Sequence, residues 1–451
     1  MKNQPSPPVA KPGQQLTLFD AICIIAGIVI GAGIYETTPL VAGAVTTPVW
    51  LLAIWLLGGL LSLAGALCYT ELVTRYPEEG GDYVFLNHAY GRRTGFLFVW
   101  AGFWLVRPAN IGAIAFIFAD YAQQVFPLSA AVHGSLLYAI LAVMLLTAVN
   151  IIGVQSGKWT QNLLTTVKVL GLLMIITIGL FFTAPAGTPP ASTGSGHGGN
   201  FYLAMILVLF TYGGWANISY VAAEVINPQK NILRALLIGT TLITAIYVVI
   251  NLVFLRTLGM EGMSAATSIA SDLVRISFGE TGALLISLLI CITCLGNING
   301  MIFTGSRIYY ALGRDHHLYR LLGIWNRTLD APVWSLTFQA IITIVLIISL
   351  GTNENAFERL VVFSAPLHWF FFLLVAAALF VFRQQRTGPE AGFRVPWYPW
   401  LPVIFCLSTL FMLYASFAYA WEQRHPEIWW IVIIMVLGVL ASYYDPPVPE
   451  K

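Results

Sequence analysis

Few side chains in this 451-residue chain could do chemistry, and those that could lie inside apolar runs. Lys168 sits within TTVKVLGLL, Glu36 within GIVIGAGIYETTP, Arg107 within LVRPAN and His368 within SAPLHWFF. An ionisable group in such a run is costly unless it faces a polar cavity or finds acceptors, so each is a candidate for binding, coupling or structure. Hydrolytic, redox and metal chemistry have weaker footing. Cys291-x-x-Cys294 has the spacing of a redox or zinc pair, but no second ligand pair or nearby histidine completes a site. It reads as two small packing residues on a helix. His316-His317 lies in a basic loop without a partner set, and no zinc-protease, paired-aspartate or nucleophile-elbow motif is present. No cofactor or metal is implied, and the chain is not expected to be an enzyme.

The elements that must position these groups are membrane spans. Hydrophobic residues make up 58% of the chain and charged residues 9%, against about a quarter charged in soluble domains. The net charge of +2 comes from basic residues in ones and twos, which gives no nucleic-acid surface. Residues 1–17 are polar and proline-rich and read as a cytosolic tail without a cleaved signal peptide. All five cysteines fall in apolar runs, so no extramembrane disulfide framework forms.

Apolar runs of about 20 residues, the length that crosses a bilayer core, give twelve segments. They begin near Leu18, Pro48, Thr94, Ala130, Thr160, Phe201, Ile232, Thr281, Val333, Phe357, Trp397 and Glu427. With an internal N-terminus, sixteen basic residues fall on the inner side and only Arg256, Arg275, Arg359 and Arg424 on the outer. The positive-inside rule then places both termini in the cytosol. Two outer connections are long, Ala184 to Asn200 and a polar, weakly helical stretch from Gly259 to Glu280, and neither is a domain. The expected organisation is a tail (1–17), a ten-helix core (18–396), spans 11 and 12 (397–443) and a cytosolic C-terminal tail (444–451).

Span 1 is built from residues that helices tolerate least. Span 6, LVLFTYGGWANISYVAAEVINP, repeats the plan: an apolar half, a glycine-centred break, a second half, then a proline. Interrupted segments at corresponding positions of two five-span halves point to a substrate site in a transporter. Backbone groups freed in the membrane must face protein or a polar cavity. At Gly31-Ala32-Gly33 the freed N–H groups open a half-helix whose positive dipole end suits a carboxylate. Around Val29 and Phe210 to Gly213 the freed carbonyls suit an ammonium group, so one small zwitterion, an α-amino acid, matches both. The competing reading is close helix packing at Gly27-x-x-x-Gly31 and Gly213-Gly214. Finding the feature in both halves, with Pro39 and Pro228 expected to close the second half-helices, favours the break.

These residues resemble the amino acid-polyamine-organocation (APC) superfamily and, within it, the L-type amino acid transporter (LAT) family. The resemblance covers nearly the whole chain: GIVIGAGIY in span 1, GALCYTEL and EEGGDY in and after span 2, LVRPAN and FADY in span 3. LTAVN closes span 4, and TTVKVLGLL, FTYGGW, EVINPQKN, NINGMIFTGSR, GRDHHL and FRVPWYPWLPV continue the series. It implies an all-α integral membrane protein with a LeuT-type 5+5 inverted repeat, spans 1 and 6 broken. It also implies sodium-independent transport of amino acids, commonly by exchange. Carried over by position, the amides of Gly31, Ala32 and Gly33 hold the substrate carboxylate and the carbonyls of Val29, Phe210 and Gly213 take its amine. The Phe210 ring gates the site and Trp215 packs beneath the break. Asn217, Asn299 and His368 join Phe210 in discriminating the side chain. Lys168 stands where sodium-coupled relatives keep a sodium ion. The other reading of Lys168 is a side chain snorkelling from the end of span 5, and Arg107 has the same two readings, with Pro108 breaking the helix beside it. Glu71 and Arg75 belong to a cytosolic gate or loop lock.

Three departures matter. The serine usual between the span 1 glycines is Ala32, and the asparagine often found in span 10 is His368, either a substrate contact or a hydrogen-bonded core residue. The outer loop at Pro127 to Ala130 has no cysteine, so no disulfide-linked heavy chain is expected and the setting leans to a bacterial cell membrane. Glu36 replaces an apolar residue, and it either attracts a cationic side chain, carries a coupling proton, or faces a solvated vestibule. The leading expectation is an alternating-access exchanger of neutral L-amino acids. Its rivals are a proton-coupled amino acid or polyamine symporter using Lys168 or Glu36, and a non-transporting amino acid sensor.

Overall fold

The first span starts from a capping box. The Thr17 hydroxyl accepts the Asp20 N–H at 3.3 Å and Asp20 Oδ2 accepts the Thr17 N–H at 2.8 Å, which uses two donors that a helix start leaves unpaired. Helix α1 (Leu18–Val29) runs from this cap to Ile30, where the backbone turns extended, and α2 (Gly33–Ala44) resumes after a bend of 47°. In this computed structural model residues 13–128, 134–183, 201–266, 268–350, 356–385, 389–422 and 428–444 are described. Most of both expected tails, the connection 184–200 and part of the loop at Pro127 to Ala130 lie outside them.

Among the described residues the chain is all helical, with isolated bridges at Leu16/Val225 and Asn326/Ala331 and no strand. After α2 come α3 (Pro48–Arg75), α4 (Asp82–Tyr90), α5 (Arg92–Ala101), a π-turn (Gly102–Val106) and α6 (Arg107–Val125). Helices α7 (Gly134–Ile152), α8 (Val154–Phe181) and α9 (Phe201–Thr211) lead to a 3-10 segment, Trp215–Glu224. Then follow α10 (Pro228–Ala265), α11 (Ile269–Asp315), α12 (Val333–Leu350), α13 (Ala356–Gln385), α14 (Trp400–Glu422) and α15 (Ile428–Tyr444). Among the described residues nine helical stretches are long and apolar enough to cross a membrane, ten with α1 and α2 taken as one bent span. The apolar stretches Val333–Ser349 and Trp429–Tyr444 are shorter.

Three local expectations differ from the structure. Pro39 lies inside α2, and Pro228 is the first residue of α10, where a missing N–H costs nothing. Neither proline closes a half-helix. The second half of span 6 is a 3-10 segment that follows Gly214 at φ 114°. Pro108 widens its helix instead of breaking it: the preceding residues form the π-turn, in which the Arg107 N–H reaches Gly102 O. The stretch Gly259 to Glu280 is helical on both sides of residue 267, and the backbone departs from helix at Gly259 and Gly279.

In lipid, helices associate through close packing and polar contacts more than through hydrophobicity. Gly27 is one such contact: a Cβ there would strike Gln161 and Thr165 of α8. Span 1 therefore uses both readings of its glycines, with Gly27 for packing and Gly31 to Gly33 for the break. At the end of the bundle where α1 begins, Glu224 pairs with Arg307 at 2.6 Å and Glu71 with Arg383 at 2.6 Å. Glu71 also accepts the Val395 N–H, and Arg75 donates to Phe382 O at 3.1 Å, so Glu71 and Arg75 fasten α3 to α13 and to the segment that leads into α14. The Gln15 and Leu16 N–H groups both reach Glu224 O at 2.8 Å. Lys158 lies 3.5 Å from Asp20, binding α8 to the start of α1.

Candidate functional site

The last bond of the first half of span 1 runs from the Ile30 N–H to Ala26 O, and the second half opens with bonds from Tyr35 and Glu36 to Ala32 O. The N–H groups of Gly31, Ala32 and Gly33 fall in the gap, where a helix start leaves donors unpaired. A Cβ on Gly31 would collide with the Asn297 amide of α11 and displace it. In span 6 the Gly213 N–H turns back to Phe210 O at 3.0 Å, and Asn217 donates to Gly214 O from both backbone and side chain, the latter at 2.7 Å. A Cβ on Gly214 would meet Ile28 at 2.6 Å, so the two breaks touch there.

Beside them Lys168 is fully buried. Its ammonium donates to Gly27 O at 2.8 Å, Ile30 O at 2.9 Å, Thr293 O at 3.1 Å and Asn297 Oδ1 at 3.2 Å. Two of these acceptors are carbonyls at the end of α1 that the break releases. This is not the geometry of a snorkelling lysine, whose head would reach water.

The breaks open on a cavity of about 190 Å³ whose lining includes Val29, Gly31, Gly33, Phe210, Gly213, Asn217 and His368. Arg107, Asn110, Asn297, Ser364 and Tyr220 add polar groups, and among the described residues no aspartate or glutamate lines it. His368 stacks on Phe372, with ring centres 5.5 Å apart, and is exposed to the cavity. Trp215 is buried against Tyr69, Phe372 and Phe405. Below it, Tyr220 donates to Asp82 Oδ2 at 2.7 Å. Burial pushes the Asp82 carboxyl up to about 6, against the pull of that hydroxyl.

Three expected residues stand elsewhere. Asn299 is fully buried and takes no part in the cavity: it donates to Gln161 Oε1 at 2.8 Å and Gly157 O at 3.2 Å and accepts from Asn150. The cavity asparagine is Asn297. Two residues along a helix turn the side chain by about 200°, so Asn297 and Asn299 face opposite ways, and the spacing Asn297, Met301, Ile308 along the lining marks the correct face. Ala32 is fully buried and contributes its carbonyl to the start of α2. Glu36 lies outside the cavity, half-buried, and accepts from the Tyr121 hydroxyl at 2.8 Å. Val29 O is already taken once, by the Tyr247 hydroxyl at 2.9 Å, a partner 218 residues away with no local pattern to mark it. The described cysteines are all free, and no cluster of three metal-binding side chains occurs among the described residues.

The cavity thus lies between two breaks in helices that are apolar along most of their length. The amino acid permease family model matches residues 16–440. The chain belongs to the amino acid permease family. This permease is 29% identical over 447 residues to the mouse (Mus musculus) b(0,+)-type amino acid transporter 1, covering 96% of this chain and 87% of that protein. It is 29% identical over 409 residues to the serine/threonine exchanger SteT of Bacillus subtilis (strain 168), covering 89% and 90%. With the mouse large neutral amino acids transporter small subunit 2 it shares 28% over 444 residues, covering 96% and 80%. The permease is thus a multi-pass membrane amino acid transporter of the APC superfamily and not an enzyme.

Proposed function

We propose that the permease exchanges neutral L-amino acids across the cell membrane by alternating access and without sodium. The observation that carries this reading is Lys168. The space between α1, α8 and α11, lined by two freed carbonyls of α1, by Thr293 O and by the Asn297 amide oxygen, is already filled by the Lys168 amine, so the site asks for no metal cation. The substrate carboxylate sits at the N–H groups of Gly31, Ala32 and Gly33. Its ammonium takes the free lone pairs at Val29, Phe210 and Gly213, with Phe210 closing over it. Asn217, Asn297 and His368 face the side chain, and Asn299 braces α11 against α7 and α8. Residues 18–396 form the inverted-repeat core of ten spans, 397–443 add two more, and both tails lie in the cytosol. The names of two relatives, one an exchanger and one a carrier of large neutral amino acids, support the substrate class. No disulfide-linked heavy chain is needed.

The test is uptake of labelled neutral amino acids into proteoliposomes. Equal rates in sodium and choline buffers are expected, with clear stimulation by amino acid loaded inside. Stimulation by sodium overturns the coupling claim. Concentrative uptake driven by a pH gradient into empty vesicles would instead favour proton symport, with Lys168 or Glu36 as the proton site.

A further inference from the structure

We propose that Arg107 sets the class of side chain the permease accepts: amino acids whose side chain ends in a hydrogen-bond acceptor enter, and those ending in a cation are turned away. The inference rests on the substrate reading above and adds a residue to it. Among the described residues of the cavity lining Arg107 and His368 are the groups able to carry positive charge and none is a carboxylate, the nearest one to Arg107 being Asp82 behind Tyr220. A lysine or ornithine side chain would therefore meet like charge in a poorly solvated space with nothing to neutralise it. A hydroxyl, amide or carboxylate would offer lone pairs to a guanidinium that has only donors.

The geometry holds Arg107 in place for this. It follows the π-turn, and its own N–H reaches Gly102 O, whose second partner is the Tyr309 hydroxyl at 3.2 Å. Pro108 supplies no N–H to the next turn, and the widened helix sets Arg107, Asn110 and Ile114, at positions i, i+3 and i+7, along one face into the cavity. The guanidinium lies over the Tyr220 ring at 4.7 Å, and among the described residues no carboxylate forms an ion pair with it. Asp82 stands behind that ring and is engaged by the Tyr220 hydroxyl. Arg107 is thus held on one side by Tyr220, with the Asp82 charge behind it, while its side chain forms part of the cavity wall. Nearby, Asn217 Oδ1 is buried without a partner, as its amide is spent on Gly214 O.

The experiment measures inhibition of labelled serine exchange in proteoliposomes by serine, glutamine, glutamate, ornithine and lysine. Ornithine and lysine are expected to inhibit at least about tenfold more weakly than glutamine, from like-charge repulsion in the cavity. In Arg107→Gln that ratio should shrink toward one, while Arg107→Lys should keep it. Lysine competing as well as glutamine in the unaltered protein overturns the inference, and so does an unchanged ratio in Arg107→Gln. If Arg107→Gln does not fold, the ratio in the unaltered protein still decides. Absence of saturable exchange with any amino acid overturns the transport reading and this inference with it, whereas exchange that ignores side-chain charge overturns this inference alone.

Discussion

Replacing Lys168 by alanine is expected to slow amino acid uptake by at least about tenfold while the protein still folds and inserts. The change leaves Gly27 O, Ile30 O, Thr293 O and Asn297 Oδ1 facing an empty space. A buried polar group without a partner costs about 1–3 kcal/mol, and here the loss falls on carbonyls that define where α1 stops. The break would relax, and a displacement near an ångström at a binding constellation is enough to cost about a hundredfold in rate. Lys168→Arg should not rescue it. A Cβ on Gly296 would lie 2.7 Å from the Lys168 nitrogen, so the cage has no room for a guanidinium. Fluorescence-detected gel filtration gives the folded fraction and proteoliposome uptake the rate. Unimpaired uptake by Lys168→Ala would remove the structural-cation role.

The second large effect concerns stability. Glu224 and Arg307 are buried to about 0% and 1% exposure and joined by two bonds, 2.6 and 3.2 Å long. Arg307 also donates to Phe303 O and Ser306 Oγ at 2.9 Å and stacks on the Phe303 ring. Glu224→Ala leaves that guanidinium buried and unanswered, a loss of about 3–5 kcal/mol. It also disturbs the backbone that accepts the Gln15 and Leu16 N–H groups. The thermal midpoint in detergent should fall by several degrees. The double replacement Glu224→Met with Arg307→Met should lie closer to the unaltered protein than Glu224→Ala, because both charges are then gone. An unchanged midpoint in Glu224→Ala would mean the pair is not structural.

The part of this site that could be read from sequence is the part made by backbone. Gly31, Gly33, Gly213 and Gly214 announce the breaks because no side-chain chemistry explains them inside an apolar span, and Lys168 announces its own need for acceptors. What depended on helix phase or on distant partners was not legible. Asn297 and Asn299 cannot be told apart by a motif, which names residues without assigning faces, and only the helical turn separates the two. Glu36 looked unpartnered because Tyr121 is 85 residues away along the chain. The 3-10 form of Trp215–Glu224 and the π-turn before Arg107 are choices of hydrogen-bond register that glycine and proline permit without dictating. The Leu16/Val225 bridge joins segments that share no local pattern. The number of spans was half legible, since all twelve expected segments coincide with helices while nine or ten meet the crossing length.

The central claim is that backbone groups at two helix breaks grip both ends of a zwitterion. The most direct measurement is competition against labelled L-alanine or L-serine uptake by four compounds: the free amino acid, its N-acetyl derivative, its amide, and its methyl ester. The N-acetyl form removes the ammonium that the carbonyls of Val29, Phe210 and Gly213 are to receive. The amide and ester remove the carboxylate that the Gly31 to Gly33 donors are to receive. Strong inhibition by the free amino acid and little by any blocked form is expected; equal inhibition by either kind of blocked form would mean that the two breaks do not hold both ends of the substrate.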